Sequence, residues 1–236
     1  MDKLEVAFAD YARKRAQALG PGLDWSKPDP AESGVDKNET ENPTPNFFAL
    51  VRSARRMIAE RRWEEAKEPC KTLIKLYPNF SEREGNAYAW LAKVHRELEE
   101  FAEERKILEA LAGISGDAYD AFVRLIELGV DQKDWDAVRR NAERALAVNP
   151  LLPGPYRHLA LAAEAEAEKV SAIESWRTLL QLEPEDPAEA HFHLARLLRS
   201  TQRGEAKRHL LMALEEAPRF RQAHRLLLDW NNEAQQ

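Results

Sequence analysis

The stretch that decides the fold is AVNPLLPGPYRHLALA, residues 147–162, which is followed 34 residues later by QLEPEDPAEAHFHLARLL, residues 181–198. In both stretches a proline-containing turn leads into a segment whose apolar residues have helical spacing. Pro150, Pro184 and Pro218 keep the same spacing of 34 residues. A fixed period of this length is typical of stacked supersecondary units that bury their apolar faces against one another.

Each repeat carries two apolar faces with helical spacing. Positions 4, 7, 8 and 11 form one helix face, and positions 20, 24 and 27 form another. Small residues at positions 8 and 20 let two helices cross closely, and proline at position 32 ends the second helix because it lacks the N–H group. The unit is therefore predicted to be a pair of antiparallel helices. In residues 153–186, with Pro153 as position 1, the two faces are Tyr156, Leu159, Ala160 and Ala163, then Ala172, Trp176 and Leu179.

This combination of small residues and a closing proline over 34 residues resembles the tetratricopeptide repeat (TPR) family. The resemblance implies an all-α fold, a right-handed α-solenoid of antiparallel helix pairs known as the TPR superhelix. On the same register, five TPR-like repeats occupy residues 47–80, 85–118, 119–152, 153–186 and 187–220.

The copies at 119–152 and 85–118 depart from the family pattern at several positions. The copy at 119–152 has Ile126, Gly129 and Val138 at positions 8, 11 and 20, from which we expect a slightly wider helix crossing. The copy at 85–118 has Glu104 where alanine is expected at position 20, and it has no closing proline.

Three segments flank the repeats. Residues 1–19 place Phe8 and Tyr11 on one face and predict an N-terminal amphipathic helix. Its apolar face needs a partner, for which the candidates are the first repeat, a preceding domain or a second copy of the chain. Residues 20–46 are rich in Pro, Asp, Glu and Asn and predict an acidic linker. Residues 221–236 match a first helix with no second one, which predicts a helix that caps the last repeat.

The composition narrows the class of partner. The net charge of −6 disfavours nucleic acid as the main partner. No apolar run approaches the roughly 20 residues of a membrane span, and the N-terminus is charged throughout, unlike a signal peptide. We therefore expect a soluble protein with a protein or peptide partner, and the sequence indicates no cellular compartment.

The search for catalytic chemistry predicts no enzyme. Cys70 is the single cysteine and occupies core position 24, so a buried, inert thiol is expected. None of the six histidines forms an HExxH arrangement, and the chain has no GxSxG elbow. No metal, cofactor or catalytic residue is expected from this pattern.

The resemblance places candidate ligand contacts on the first helices, whose positions 2, 5, 9, 12 and 13 line the concave face of TPR arrays. Position 5 carries Arg157, His191 and Arg225 in the last three first helices, which predicts a basic column for acidic groups of an extended peptide. His191 is expected to add charge as the pH falls toward about 6. Pairing with the chain's own acids, such as Glu164, is the alternative. The N-terminal half offers a second set: Phe48, Val51, Arg55, Lys93 and Arg96.

The first hypothesis is therefore a non-catalytic scaffold that binds a peptide or partner domain in its groove. A looser resemblance concerns the whole chain, which is similar to the C-terminal portion of bacterial proteins with a gluzincin-type peptidase domain upstream. That resemblance implies the alternative, an accessory TPR module that docks on the catalytic domain of a larger metallopeptidase-like protein. A free-standing hydrolase is the third hypothesis, and stoichiometric zinc in the purified protein would support it.

Overall fold

The computed structural model describes residues 46–79 and 86–233, together with four helical residues near the N-terminus: Ala7, Phe8, Tyr11 and Lys14. The rest of the predicted N-terminal helix at 1–19, and the predicted linker at 20–46 apart from Asn46, lie outside the described residues. The chain divides into two compact units, Met1–Ser115 and Gly116–Gln236.

Every regular element in 46–79 and 86–233 is an α-helix, which confirms the all-α prediction. Consecutive helices within each unit contact one another. The first unit contains α1 (Phe47–Ala59), α2 (Trp63–Leu76), α3 (Ala87–Glu97) and α4 (Phe101–Ile114). The second unit contains α5 (Tyr119–Gln132), α6 (Trp135–Val148), α7 (Pro153–Ala165), α8 (Lys169–Gln181), α9 (Ala188–Leu198), α10 (Arg203–Glu216) and α11 (Arg221–Glu233).

The small residues at positions 8 and 20 have the burial that a close helix crossing requires. Because alanine presents only a Cβ, two helices that meet at alanine can approach closely. Six of these alanines are at most 1% exposed: Ala54, Ala66, Ala92, Ala160, Ala172 and Ala206.

The pair α5–α6 accommodates its larger residues through a glycine. Val138 on α6 is fully buried, and a Cβ added at Gly129 on α5 would lie 2.9 Å from Val138 Cγ2. That distance is too short for two carbon atoms, so glycine at position 11 makes the room that valine at position 20 fills. The sequence-based expectation of a wider helix crossing took no account of the space that Gly129 leaves for the Val138 side chain.

The turns inside the first four helix pairs share one backbone conformation. Position 15 is left-handed in each turn, at Arg61, Glu99, Lys133 and Ala167, with φ between 57° and 59°. The N–H of the next residue then donates to the carbonyl of position 11 over 2.8–2.9 Å. This hydrogen bond ends the first helix and offsets the cost of a left-handed non-glycine residue, about 1–2 kcal/mol.

Candidate functional site

The basic column predicted in the second unit starts at Arg157, which is already paired. Its Nε and one terminal nitrogen donate to the two carboxylate oxygens of Glu189 over 2.5 and 2.7 Å. The hydrogen bond to Glu189 raises the pKa of Arg157, and the hydrogen bond from Arg157 lowers the pKa of Glu189. Because this fork-to-carboxylate contact occupies one edge of the guanidinium and balances its charge, Arg157 is a poor first contact for an acidic peptide.

His191, the second residue of the predicted basic column, is buried and not exposed in a groove. It is 8% exposed, and its Nδ1 lies 2.9 Å from Nδ1 of His209 on α10. Burial, followed by the charge of His209, lowers the pKa of His191. Burial therefore disfavours the positive charge that His191 is expected to add as the pH falls toward about 6, and it leaves little of the ring open to a groove.

Arg225, the last residue of the column, lies on α11 and is exposed. The three side chains thus comprise one ion-paired arginine, one buried histidine and one exposed arginine. They do not form an accessible ladder of three cations. The sequence-based alternative, pairing with the chain's own acids, describes Arg157 correctly, although its partner is Glu189 and not Glu164.

Glu164 instead anchors a network that links α7, α8 and α9. Its Oε1 accepts hydrogen bonds from Trp176 Nε1 at 2.7 Å and from His193 Nδ1 at 2.6 Å, and its other oxygen pairs with Arg196. The His193 ring also stacks on Trp176, with the ring centroids 4.6 Å apart. Burial opposes ionisation of Glu164, but the hydrogen bonds and charge of His193, with Trp176 and Arg196, outweigh it and lower the pKa of this carboxyl.

In the first unit, Arg96 also has an internal role. Its Nε donates to Oε1 of Glu104 over 2.7 Å, and Glu104 has no exposed surface. Arg96 therefore neutralises the carboxylate that replaces the usual alanine at position 20. The ion pair with Glu104 explains the presence of an arginine at position 96 better than the predicted contact with a ligand does.

The other residues of the N-terminal set lie on the adjacent helices α1 and α3. Phe48 and Val51 are half-buried against the core of the first unit. Arg55, one helical turn after Val51, is exposed and lies over the Trp90 ring at 5.3 Å from its centroid. Lys93, one turn after Trp90, is also exposed.

We call the surface formed by Val51, Arg55, Ala89, Trp90 and Lys93 the α1–α3 face. Ala89 is exposed and small, so the space beside Lys93 on α3 is open. The face offers two cations next to half-buried apolar side chains, which suits a peptide segment that carries both a carboxylate and an apolar residue. Sequence reasoning did not assign Trp90, although its position one turn before Lys93 was a usable signal.

The described residues hold little that suggests catalysis. Cys70 is fully buried, as predicted, and burial raises the pKa of its thiol to about 12. A thiol with this pKa is a poor nucleophile at neutral pH, because the thiolate is the reactive form. Within 46–79 and 86–233 no group of three or more His, Cys, Asp or Glu side chains is arranged to hold a metal ion.

Within the described part of the chain, no helix combines the length and the apolar composition that crossing a membrane demands.

Comparison with solved structures identifies the fold. YrrB, a TPR protein with an unusual peptide-binding site, superposes with a TM-score of 0.62 at 15% identity and covers 77% of this chain and 91% of its own. MamA superposes with a TM-score of 0.58 at 18% identity, and the match covers 72% of this chain and 91% of the MamA chain. PilF of Pseudomonas aeruginosa gives 0.50 at 15% identity, with coverage of 75% and 79%.

The chain thus has the fold of TPR solenoid proteins. No protein-family model matches it, and a search of curated proteins finds no match. None of these comparisons supports the expected connection to a gluzincin-type peptidase.

Proposed function

We propose that the chain is a non-catalytic protein-interaction scaffold that binds an extended peptide segment of a partner on the α1–α3 face. The observation that carries this proposal is the placement of Arg55 over Trp90, with Lys93 exposed one turn further along α3. An arginine held on an aromatic ring loses less freedom on binding, because its planar group is already oriented.

The chemistry of this face favours a ligand with two kinds of side chain. A carboxylate of the ligand would accept hydrogen bonds from the Arg55 guanidinium or the Lys93 ammonium group, which are the stronger, charge-assisted kind. A neighbouring apolar side chain would cover Val51 and Trp90, which are only half-buried without a ligand. We therefore expect peptides that combine Asp or Glu with a large apolar residue.

The contrast with the second unit supports this choice of surface. There, Arg157 is engaged by Glu189 and His191 is buried, so two of the three predicted cations are committed inside the protein. Arg55 and Lys93 are exposed, and Arg55 lies over an aromatic ring. YrrB, a TPR protein with this fold, has a peptide-binding site, which makes peptide binding a reasonable activity for the fold.

The test begins with selection of peptides from a random phage-displayed library on the immobilised full chain. Isothermal titration calorimetry then compares the selected peptides on the wild type and on the double variant Arg55→Ala, Lys93→Ala. We expect the variant to bind about tenfold more weakly, because each lost charge-assisted contact is worth about 1 kcal/mol or more. The difference should shrink at high salt.

The matched control is the double variant Lys71→Ala, Lys75→Ala, which removes two exposed cations of the same unit that lie on α2 and not on α1 or α3. Its affinity should equal that of the wild type. Equal weakening of both variants, or unchanged binding by the Arg55→Ala, Lys93→Ala variant, would place the binding surface elsewhere.

A further inference from the structure

A second cationic surface lies in the second unit, at the turn between α9 and α10. It is a cleft of about 670 Å³ lined by Lys169, Arg196, Leu197, Arg199, Ser200 and Arg203. Four of these six residues are cations, and none is an acid. A cleft with this lining repels cations and concentrates anions.

Three of the cations are held in place by contacts to the protein. Lys169 Nζ donates to Ser200 Oγ over 3.0 Å, and Arg196 pairs with Glu164. Arg199 lies over the Trp230 ring of α11, 5.6 Å from its centroid. Because these side chains are already held in place, they lose little conformational entropy when an anion binds in the cleft.

The turn that builds the cleft departs from the four turns before it. In place of a left-handed residue at position 15, both Thr201 N–H and Gln202 N–H donate to the carbonyl of Leu198, over 3.1 and 2.8 Å. The helix ends at Leu198, and Arg199, whose backbone angles remain helical, and Ser200 follow it in the turn that forms the wall of the cleft.

We propose that this cleft binds a phosphorylated serine or threonine in a segment of a partner protein. A phosphoryl group carries a charge of about −1.5 to −2 and three acceptor oxygens, which matches several arginine forks better than one carboxylate does. Glu164 balances Arg196, and Lys169 and Arg203 add two further positive charges at the cleft to face such a dianion. Leu197, half-buried in the wall, provides an apolar contact for a residue next to the phosphorylated one.

Nucleic acid is a less suitable ligand for this cleft than a phosphorylated peptide. A polyanion needs a track of cations along its backbone. Here the cations are grouped in one cleft, and the chain as a whole carries a net charge of −6. A single phosphoryl group requires only the cleft itself.

The experiment measures fluorescence anisotropy of a short labelled peptide that has one central phosphoserine and no basic residue, titrated with the full chain at low salt. Comparison peptides carry unmodified serine, or two adjacent glutamates in place of the phosphoserine, and an oligothymidine represents nucleic acid. We expect phosphorylation to tighten binding about tenfold, and Lys169→Gln, Arg203→Gln to remove that gain.

The control is Lys75→Gln, Arg140→Gln, which removes two exposed cations elsewhere and should bind the phosphopeptide as the wild type does. Circular dichroism of each variant verifies that it is folded. No binding, equal affinity for the two-glutamate peptide, tighter binding of oligothymidine, or equal loss in the control would each overturn the proposal. The Arg55→Ala, Lys93→Ala variant should keep its phosphopeptide affinity, so failure at this cleft and failure at the α1–α3 face are told apart.

Discussion

Glu104 is a carboxylate with no exposed surface at a position where most copies of the repeat carry alanine. Removing a carboxylate from water costs several kcal/mol, which a close opposite charge can offset. Arg96 supplies that charge from α3, with its Nε 2.7 Å from Glu104 Oε1. The pair joins the two helices at the position where alanine would otherwise allow close packing.

We predict that Arg96→Met destabilises the protein by about 3 kcal/mol, the lower end of the range for breaking a buried ion pair. The lower end applies because the Arg96 side chain is 43% exposed, so water reaches the site once arginine is gone. Urea unfolding of Arg96→Met, Glu104→Ala and the double variant measures the coupling. Glu104→Ala should cost less than Arg96→Met, and adding Arg96→Met to it should cost little more. Strictly additive effects would show that the two side chains act independently.

At the level of single residues, the repeat register predicts burial well but polar partners poorly. The apolar positions follow from helical periodicity, and residues such as Trp176 and Leu210 are buried as their positions imply. The prediction that Arg157 lines a groove used only its position in the repeat. In the structure Arg157 pairs with Glu189, which lies 32 residues further along the chain. An acid at position 3 of the following repeat was the available signal. Choosing among several nearby acids requires side-chain geometry, which periodicity does not contain.

Between α9 and α10, the buried His191 and the half-buried His209 set the pH range in which this helix pair is stable. Burial, together with the charge of the other ring, lowers the pKa of His191, and burial is also the largest cause of the lowered pKa of His209. Because the folded state disfavours their charged forms, the unfolded chain binds more protons below its own histidine pKa of about 6.5. Their contribution to stability is therefore complete above about pH 6.5 and decreases as the pH falls below it.

We predict that the unfolding free energy decreases between about pH 7 and pH 5, by at most about 1.4 kcal/mol per pH unit for each histidine. The variant His191→Leu, His209→Leu should show a weaker dependence in the same range by urea unfolding. Glu164, Glu189 and Glu205 have lowered pKa values, so their contributions are lost only when the pH falls below about 4.3. An identical slope in the wild type and the variant would contradict this assignment.

Helix α11 covers the apolar surface of the pair α9–α10. Ala223 and Trp230 belong to the same buried cluster as Leu194 and Leu210. Removing residues 219–236 should expose this cluster and Leu197 and raise hydrogen exchange in residues 187–218, because repeats are stabilised mainly by their neighbours. Unchanged exchange there would show that α11 is not a cap.

Single substitutions separate this effect from the loss of the chain end. Trp230→Ala should cost about 3 kcal/mol, as is usual when a buried large side chain is truncated. Asn231→Ala, at the exposed neighbour of Trp230, is the matched control and should leave the unfolding midpoint unchanged.

At the level of elements, the existence and type of the helices could be predicted, but the turns between them could not. The residues at position 15 are Arg61, Glu99, Lys133 and Ala167, although glycine is the residue that usually marks a left-handed turn. The hydrogen bond to the carbonyl of position 11 imposes this conformation, and a sequence pattern based on glycine does not detect it.

For the whole molecule, the fold could be predicted from the 34-residue period and is that of TPR solenoid proteins. From the sequence, the proposed binding surface could be narrowed only to the first helix of each pair, since exposure decides which of their cations are accessible. Arg96, Arg157 and His191 are committed inside the units. Arg55 and Lys93 remain exposed, and we propose that these two cations bind a peptide.

The most direct test of that claim is site-specific photo-crosslinking to a peptide selected on the full chain. Lys93 is replaced by benzoylphenylalanine in one protein, and Lys75, an exposed residue of α2, is replaced in another. If the peptide lies on the α1–α3 face, irradiation should crosslink it efficiently at position 93 and not at position 75. Equal crosslinking at the two positions, or none at position 93 in a protein that still binds the peptide, would contradict the account.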